Sequence, residues 1–507
     1  MCGIAGIFRL TPPTTGAAGA MSRTPSAPAQ EAIPEAWLDI LDDAIQHRGP
    51  DGAGRFRDSA VRADGSVAHV ALIHRRLAII DLADGAQPMV SERGRTPDEG
   101  RVAVTFNGCV YNHRELRAEL ESAGRVFLSD HSDTEVLLHA WREWGAGMQP
   151  RLDAMLSAAI WDATRGTLTL CRDDFGEKPL YYVETEDRST VIFANNFAGV
   201  LRLWCMLEGG KRDGIDETLL AHWIAMGQHD SRTPLFYARQ LPPGVWVTLP
   251  VASGAGNRVG ADPLNEQIGE SARQFVTQRY PLRWRQSQTN PYVNAGLVNH
   301  IEEMLTAAVA TRLDADVPVA CLLSGGVDSS LISLLAHKLA EPVGGVTTIC
   351  VRMPDERYDE SEFAAHAAEI IGSKHLTIDP SPEPAADLQI LIRTLGLPFG
   401  DSSLLATFWA CLAAREHAKV LLSGDGGDEL FLGYERYHAA KWLEIAGFIP
   451  DVFARTLDSG HPKSSLVKLS RLIRAAHGEG YPDLLAIFDR SQRRKLLARR
   501  HASLFLV

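Results

Sequence analysis

Apolar residues fall into two rhythms along this chain. In its first part they come as short runs between turn residues. Ile4, Ile7 and Phe8 open the series. Val70-Ala71-Leu72-Ile73, Leu77-Ala78-Ile79-Ile80, Val102-Ala103-Val104-Thr105-Phe106 and Thr167-Leu168-Thr169-Leu170 continue it. Such runs predict a strand-rich layer, with a few helices such as 133–145 between the strands. The stretch 11–35, rich in Ala, Pro, Thr and Ser, reads as a flexible loop insertion. Residues 206–295 read as a mixed connector holding Leu241-Pro242-Pro243-Gly244 and a polar, proline-bearing stretch at 281–291.

From residue 296 the rhythm changes. A helical segment at 296–313 leads into the buried-strand run Val317-Pro318-Val319-Ala320-Cys321-Leu322-Leu323, a glycine turn and a helix at 329–340. Strand and helix recur at 346–352 with 361–371, and a helix at 403–416 precedes a strand at 419–423. That alternation predicts a parallel, doubly wound sheet. The expected division is 1–205, a connector at 206–295, and 296–507.

Composition narrows the classes. A chain of 507 residues with 45% hydrophobic and 22% charged residues can bury more than one core. Its 51 basic and 63 acidic residues give −12, which disfavours a nucleic-acid coat or an anionic membrane surface. No apolar run reaches the roughly 18–20 residues of a membrane span. The start lacks the basic and long apolar regions of a secretory signal. Cysteines at 2, 109, 171, 205, 321, 350 and 411 are dispersed and form no CxxC pair. Neither a zinc site nor a disulfide framework is indicated, and a reducing cytoplasm is expected.

Three places carry candidate chemistry. With Met1 removed, Cys2 would bear a thiol and a free α-amine. That amine has an ordinary pKa of roughly 7.7–8.0 and could take the thiol proton. The bland alternative is a small residue opening a buried strand. Ser324-Gly325-Gly326-Val327-Asp328-Ser329-Ser330 stands between a strand and a helix. Its glycines bring N–H groups close to an anion, the helix N-terminus adds positive charge, and Asp328 could hold Mg²⁺. The GK[ST] ending of a Walker loop is absent. Leu422-Ser423-Gly424-Asp425-Gly426-Gly427-Asp428-Glu429 also follows an apolar run. The two loops are expected to converge at the sheet's crevice, sharing a Mg-pyrophosphate site.

Read together, the strings resemble the glutamine-hydrolysing asparagine synthetases along nearly the whole chain. The matching strings are Met1-Cys2-Gly3-Ile4, His47-Arg48-Gly49-Pro50-Asp51, Arg76-Leu77-Ala78-Ile79-Ile80-Asp81, Phe106-Asn107-Gly108, Ser132-Asp133-Thr134-Glu135 and Gly176-Glu177-Lys178-Pro179-Leu180-Tyr181-Tyr182. Both glycine loops, Tyr358-Asp359-Glu360-Ser361, Asp401-Ser402-Ser403 and Gly433-Tyr434 follow. The resemblance implies an αββα N-terminal-nucleophile glutaminase ahead of an α/β ATP-pyrophosphatase domain. It implies Cys2 as nucleophile, Asn107 and Gly108 as oxyanion donors, Arg48 for the glutamine carboxylate and Asp133 for its ammonium. In the second domain it implies ATP contacts at Leu322, Ser324, Gly325, Gly326, Asp328, Ser329, Val351 and Gly424, with Mg²⁺ on Asp328 and Asp428. The reaction implied is amidation of aspartate to asparagine through an acyl-adenylate, with release of AMP and pyrophosphate. No nucleic acid or membrane partner is implied, and a homodimer is compatible with it.

Two departures qualify this. The family follows Asn-Gly with a glutamate that helps hold the substrate ammonium, and here Cys109 stands there. A weakened glutaminase is therefore expected. The family's later SLEVRVPFLD-type string and lysine-bearing helix have no counterpart in 435–507. Lys441, Lys463 and Lys468 do not match by motif, and the basic run 490–500 reads as a solvated helix face. The synthetase domain is thus expected to be C-terminally short. Leu397 also replaces a frequent glutamate before Pro398-Phe399. Amidation of another carboxylate, or a binding or regulatory role, remain alternatives.

Overall fold

In the computed structural model of the chain, the described residues are 1–13, 32–91, 100–209, 217–227, 238–250, 264, 267–268, 270–271, 295–353, 355–356, 359–379, 383–397, 399–401, 403–457, 464–478, 480–488 and 492–493. Most of the loop insertion, the stretch 281–291, Tyr358, Pro398, Ser402, Lys463 and most of the run 490–500 lie outside them. The chain divides into two units. One comprises Met1–Gly214, Asp230–Val319 and Gln389–Leu397, the other Ile215–His229, Ala320–Leu388 and Pro398–Val507.

The strands of the first unit are β1 (Gly3–Thr11), β2 (Gly52–Val61), β3 (Val67–Arg76), β4 (Met89–Ser91), β5 (Val102–Val110), β6 (Ala154–Asp162), β7 (Thr167–Arg172), β8 (Tyr181–Glu184), β9 (Thr190–Ala194), β10 (Arg239–Gln240) and β11 (Trp246–Leu249). They form two antiparallel sheets, ordered β10-β8-β9-β1-β3-β2 and β11-β7-β6-β5-β4. Four helices matter here: α1 (Glu35–Ile45), α2 (His113–Ser122), α3 (Asp133–Trp144) and α4 (Phe197–Leu207).

Strand alternation explains the layering. Ile4 and Phe8 of β1 enter the core between the sheets with Leu72, Trp161, Leu170 and Phe193. Ala5 and Ile7 point the other way, onto Leu38 and Leu41 of α1 and Phe197 and Leu203 of α4. The second sheet behaves alike. Val104 and Phe106 meet Leu116 of α2 and Val136 and Trp141 of α3, while Ala103 faces the other sheet. Helices thus cover the outer face of each sheet, giving the expected αββα sandwich.

One expected strand is not there. Leu77-Ala78-Ile79-Ile80 is as apolar as its neighbours but leaves the sheet after β3. Its backbone donors go to side chains instead. The Leu77 N–H donates to Cys2 Sγ, and the Ala78 N–H to Asp51 Oδ2 at 2.8 Å.

In the second unit, β12 (Val319–Leu322), β13 (Thr347–Val351), β14 (Lys374–Ile378) and β15 (Val420–Leu422) form a sheet ordered β14-β13-β12-β15. β12, β13 and β14 pair in parallel. α5 (Val327–Ala340) follows β12, α6 (Ser361–Ile371) follows β13, and α7 (Leu404–Ala414) precedes β15. α6 packs Ala364 and Ala368 against Leu323 and Cys350. Ala414 at the end of α7 packs on Ala320 and Ile349. Helices on both faces of parallel strands are the doubly wound arrangement that the alternation predicts.

The inter-sheet core gives a direct test. Leu72 is fully buried there, so Leu72→Ala is expected to lower the unfolding free energy by about 2–5 kcal/mol. Urea denaturation followed by tryptophan fluorescence would measure it.

Candidate active site

A pocket opens where β1 begins. Met1, Cys2, Arg76, Leu77, Asn107, Gly108, Cys109, Asp133 and Lys178 are among the residues lining it. Its empty space, open mouth included, is about 490 Å³.

Cys2 directly precedes β1. Its Sγ accepts the Leu77 N–H at 3.3 Å and lies 3.6 Å from the Leu77 carbonyl, to which the thiol can donate. Burial pushes the thiol pKa up, and the Leu77 backbone and the neighbouring amine oppose this. The first amine of the chain, on Met1, is pushed down to about 6 by burial. That Met1 amine is therefore largely neutral at pH 7.

β5 supplies the opposite wall. At Gly108 a Cβ would sit 1.9 Å from the Met155 carbonyl oxygen of β6, so the close approach admits only glycine. Asn107 is 1% exposed, yet neither Oδ1 nor Nδ2 has a hydrogen-bond partner. Buried polar atoms are nearly always paired. A bare side-chain amide in the same pocket as a thiol is what an oxyanion-binding site requires.

Asp133, the first residue of α3, accepts the Val110 N–H at 3.2 Å. Burial dominates its titration and pushes the carboxyl up to about 7. Cys109 is pushed up to about 12, by burial first and then by Asp133. Lys178 is pulled below its ordinary value by burial. The turn presenting Lys178 is tied by Asp173, whose carboxylate accepts the N–H groups of Leu156, Phe175, Glu177 and Lys178.

Cys2, Asn107, Gly108 and Asp133 are thus brought together, with Cys109 among them. Arg48 sits against Cys2 but outside the lining. Its Nε donates to the Cys2 carbonyl at 3.0 Å, its Nη2 is buried without a partner, and it is not among the lining residues. Arg76 is, anchored by the carbonyls of Ile80, Asp81 and Leu82. Sequence reasoning passed over Arg76 and Lys178 as residues facing a ligand. The signal available was that each sits in a quoted string, Arg76 at the head of one.

In the second unit the two glycine loops touch. Leu322 ends β12 and Val351 ends β13, with Ser324–Ser329 just beyond β12 and Gly424 just beyond β15. A Cβ on Gly424 would lie 2.6 Å from the Ser329 nitrogen, and one on Gly427 would lie 2.6 Å from Asp328 Oδ2. Asp428 is the next residue. Ser324 and Ser329 hydroxyls bond at 2.8 Å, and Ser329 Oγ accepts the Ser324 N–H at 3.2 Å. Gly325, at φ +81°, passes against Phe363, and Gly326 caps α5. The loops meet between β12 and β15, where the strand order reverses, the usual ligand crevice of such sheets.

Comparison with known proteins bears on both units. Residues 1–257 match the glutamine amidotransferase domain family, and residues 300–503 match asparagine synthase. The chain belongs to the glutamine-hydrolysing asparagine synthetase family. A putative asparagine synthetase of Mycobacterium tuberculosis is 31% identical over 444 residues, 85% of this chain and 63% of that one. Asparagine synthetase 1 of Bacillus subtilis is 29% identical over 459 residues, 90% of this chain and 62% of that one. A putative asparagine synthetase 2 of Methanocaldococcus jannaschii is 26% identical, covering 91% and 81%. The chain therefore spans just under two thirds of the length of the first two relatives. Among the described residues no helix is long and apolar enough to cross a membrane.

Asp133 makes the pocket's electrostatics measurable. Its carboxyl titrates near 4 when unfolded and at about 7 when folded, so the folded state holds an extra proton between those values. Its contribution to stability is present at pH 4 and is lost as pH rises to 7. Asp133→Asn removes that loss. The stability of the variant relative to wild type is expected to grow by about 2–4 kcal/mol between pH 4 and pH 8. Denaturation curves at both pH values would read it.

Proposed function

We propose that the protein is a glutamine-dependent amidotransferase that forms asparagine from aspartate, cleaving ATP to AMP and pyrophosphate. The observation that carries the reading is the unpaired, buried Asn107 amide in the same pocket as Cys2. Glutamine enters with its α-ammonium on Asp133 and its α-carboxylate on Arg76, the arginine that lines the pocket. Arg48, assigned the carboxylate from the sequence, instead steadies the Cys2 backbone.

With Met1 cleaved, the Cys2 α-amine takes the thiol proton as Sγ attacks the side-chain amide carbon. The oxyanion is received by Asn107 Nδ2 and the Gly108 N–H, a contribution of roughly 3–4 kcal/mol per donor in comparable sites. Collapse passes the proton to the leaving nitrogen, and ammonia departs. Water then hydrolyses the thioester, releasing glutamate and restoring the thiol.

In the second unit the paired glycine loops cradle the ATP phosphates, with Leu322, Val351 and Gly424 at the adenine. Asp328 and Asp428 would hold Mg²⁺. The donor set fits, because Mg²⁺ bound with a nucleotide needs only one or two protein carboxylates. Mg²⁺ would neutralise charge on the departing pyrophosphate. Aspartate is adenylated on its β-carboxylate, and ammonia displaces AMP.

The decisive measurement is pyrophosphate and asparagine release with glutamine or with ammonium. Cys2→Ala is expected to abolish glutamine use and to leave the ammonium-dependent reaction intact. Equal loss of both would refute the two-site reading, and pyrophosphate release only with another carboxylic acid would replace aspartate as acceptor. Cys109 gives a second test. Cys109→Glu adds a carboxylate for the substrate ammonium and is expected to lower the glutamine KM about tenfold to a hundredfold, the worth of one charged hydrogen bond. Steady-state glutaminase kinetics would show it.

A further inference from the structure

Cys2 lies outside the β1 ladder, so its position depends on how the next residues are held. Ile4 is held by Asn195, the residue after β9. The Asn195 N–H donates to the Ile4 carbonyl at 2.9 Å. In a regular antiparallel pair the Ile4 N–H would return to the Asn195 carbonyl. It donates instead to the side chain, Oδ1, at 2.8 Å.

The rest of that amide is also engaged. Asn195 is 3% exposed, and its Nδ2 donates to Ser157 Oγ at 2.9 Å and to the Pro179 carbonyl. The partners fix its orientation, since a backbone N–H can only donate and a carbonyl can only accept. Each partner leads, along the chain or across the sheet, to a different lining residue of the pocket. Ile4 leads back to Cys2. Ser157 is the register partner of Asn107 across β5 and β6, so both side chains stand on one face of that sheet. Pro179 follows Lys178.

We propose that Asn195 is a positioning residue that sets the Cys2 thiol against the Asn107 amide. It touches neither the thiol nor the amide and acts through β1 and β6. Alanine there would strand the Ile4 N–H and the Pro179 carbonyl in a buried place, where an unpaired group costs more than the bond itself contributed. The two sheets would then settle differently around the pocket. A misplacement of about 1 Å between reacting groups costs roughly a hundredfold in rate.

The inference rests on the glutaminase reading, so the experiment includes a readout independent of it. Glutamine hydrolysis and the pH profile of Cys2 alkylation by iodoacetamide, followed by mass spectrometry, are compared in the full-length wild type, Asn195→Ala, Asn195→Asp and Ser157→Ala. Asn195→Ala is expected to lower kcat roughly tenfold to a hundredfold, with the glutamine KM changed less than about threefold. Its alkylation midpoint is expected to rise by about 0.5–1 pH unit, as the Leu77 N–H loses the sulfur. Asn195→Asp keeps the acceptor for Ile4 and should recover part of both effects. Ser157→Ala should show a smaller fall in the same direction.

A folded Asn195→Ala protein with wild-type kcat and alkylation profile overturns the proposal. So does a loss of activity that only tracks the unfolded fraction. If Asn195→Ala does not fold, Ser157→Ala decides, and an unchanged rate and profile there overturn it. If the wild type hydrolyses no glutamine, the proposed reaction fails, and the alkylation profiles still decide the role of Asn195.

Discussion

Face-to-face packing of two antiparallel sheets is the constraint on which the N-terminal pocket depends. The thiol belongs to the chain entering one sheet, and the Asn107 amide belongs to the other. Nothing local joins them. What holds them in register is the apolar layer of Ile4, Phe8, Leu72, Trp161 and Phe193 between the sheets. At its rim a polar layer takes over, in which His74 Nδ1 meets Thr105 Oγ1 at 3.0 Å and Asn195 meets Ser157. Apolar packing fixes the spacing of the sheets but has no direction. The hydrogen bonds at the rim supply the direction.

Burial has a second consequence in the pocket. It raises the thiol of Cys2 and the carboxyl of Asp133, and it lowers the amine of Lys178. Each shift favours the neutral form, because a charge without a partner is costly away from water. In the proposed reaction glutamine brings the missing counter-charges, an ammonium for Asp133 and a carboxylate for Arg76. Substrate would then restore the charged state of the pocket as it fills it. Cys109 adds volume there but no charge, so in that reaction it would bear on affinity more than on chemistry.

The second unit reaches its candidate site by another route. Parallel strands end at one edge, and the strand order β14-β13-β12-β15 reverses direction beside β12. Small residues let the two loops at that reversal meet. Gly424 lies against the Ser329 backbone and Gly427 against the Asp328 carboxylate, closer than any side chain would allow. Here glycine is required by proximity between segments far apart in sequence.

Much of this was legible from local signals. Alternating apolar runs and the later strand–helix rhythm pointed to both fold classes, and the strings around Cys2, Asn107, Asp133 and the two glycine loops marked the candidate chemistry. These features are written over a few adjacent residues, so periodicity and turn chemistry suffice to read them. The strand expected at 77–80 failed because its backbone donors are claimed by Cys2 and Asp51, residues distant in the chain. Arg48 and Arg76 could not be told apart for a similar reason. Both are arginines in matching strings, and only the packing of the sheets turns one toward the Cys2 carbonyl and the other toward the pocket. Asn195 carried no signal at all. By itself the sequence determined which residue types and elements are present; tertiary structure alone decided which of them meet, because hydrogen-bond partners across two sheets are chosen by spacing that no local pattern records.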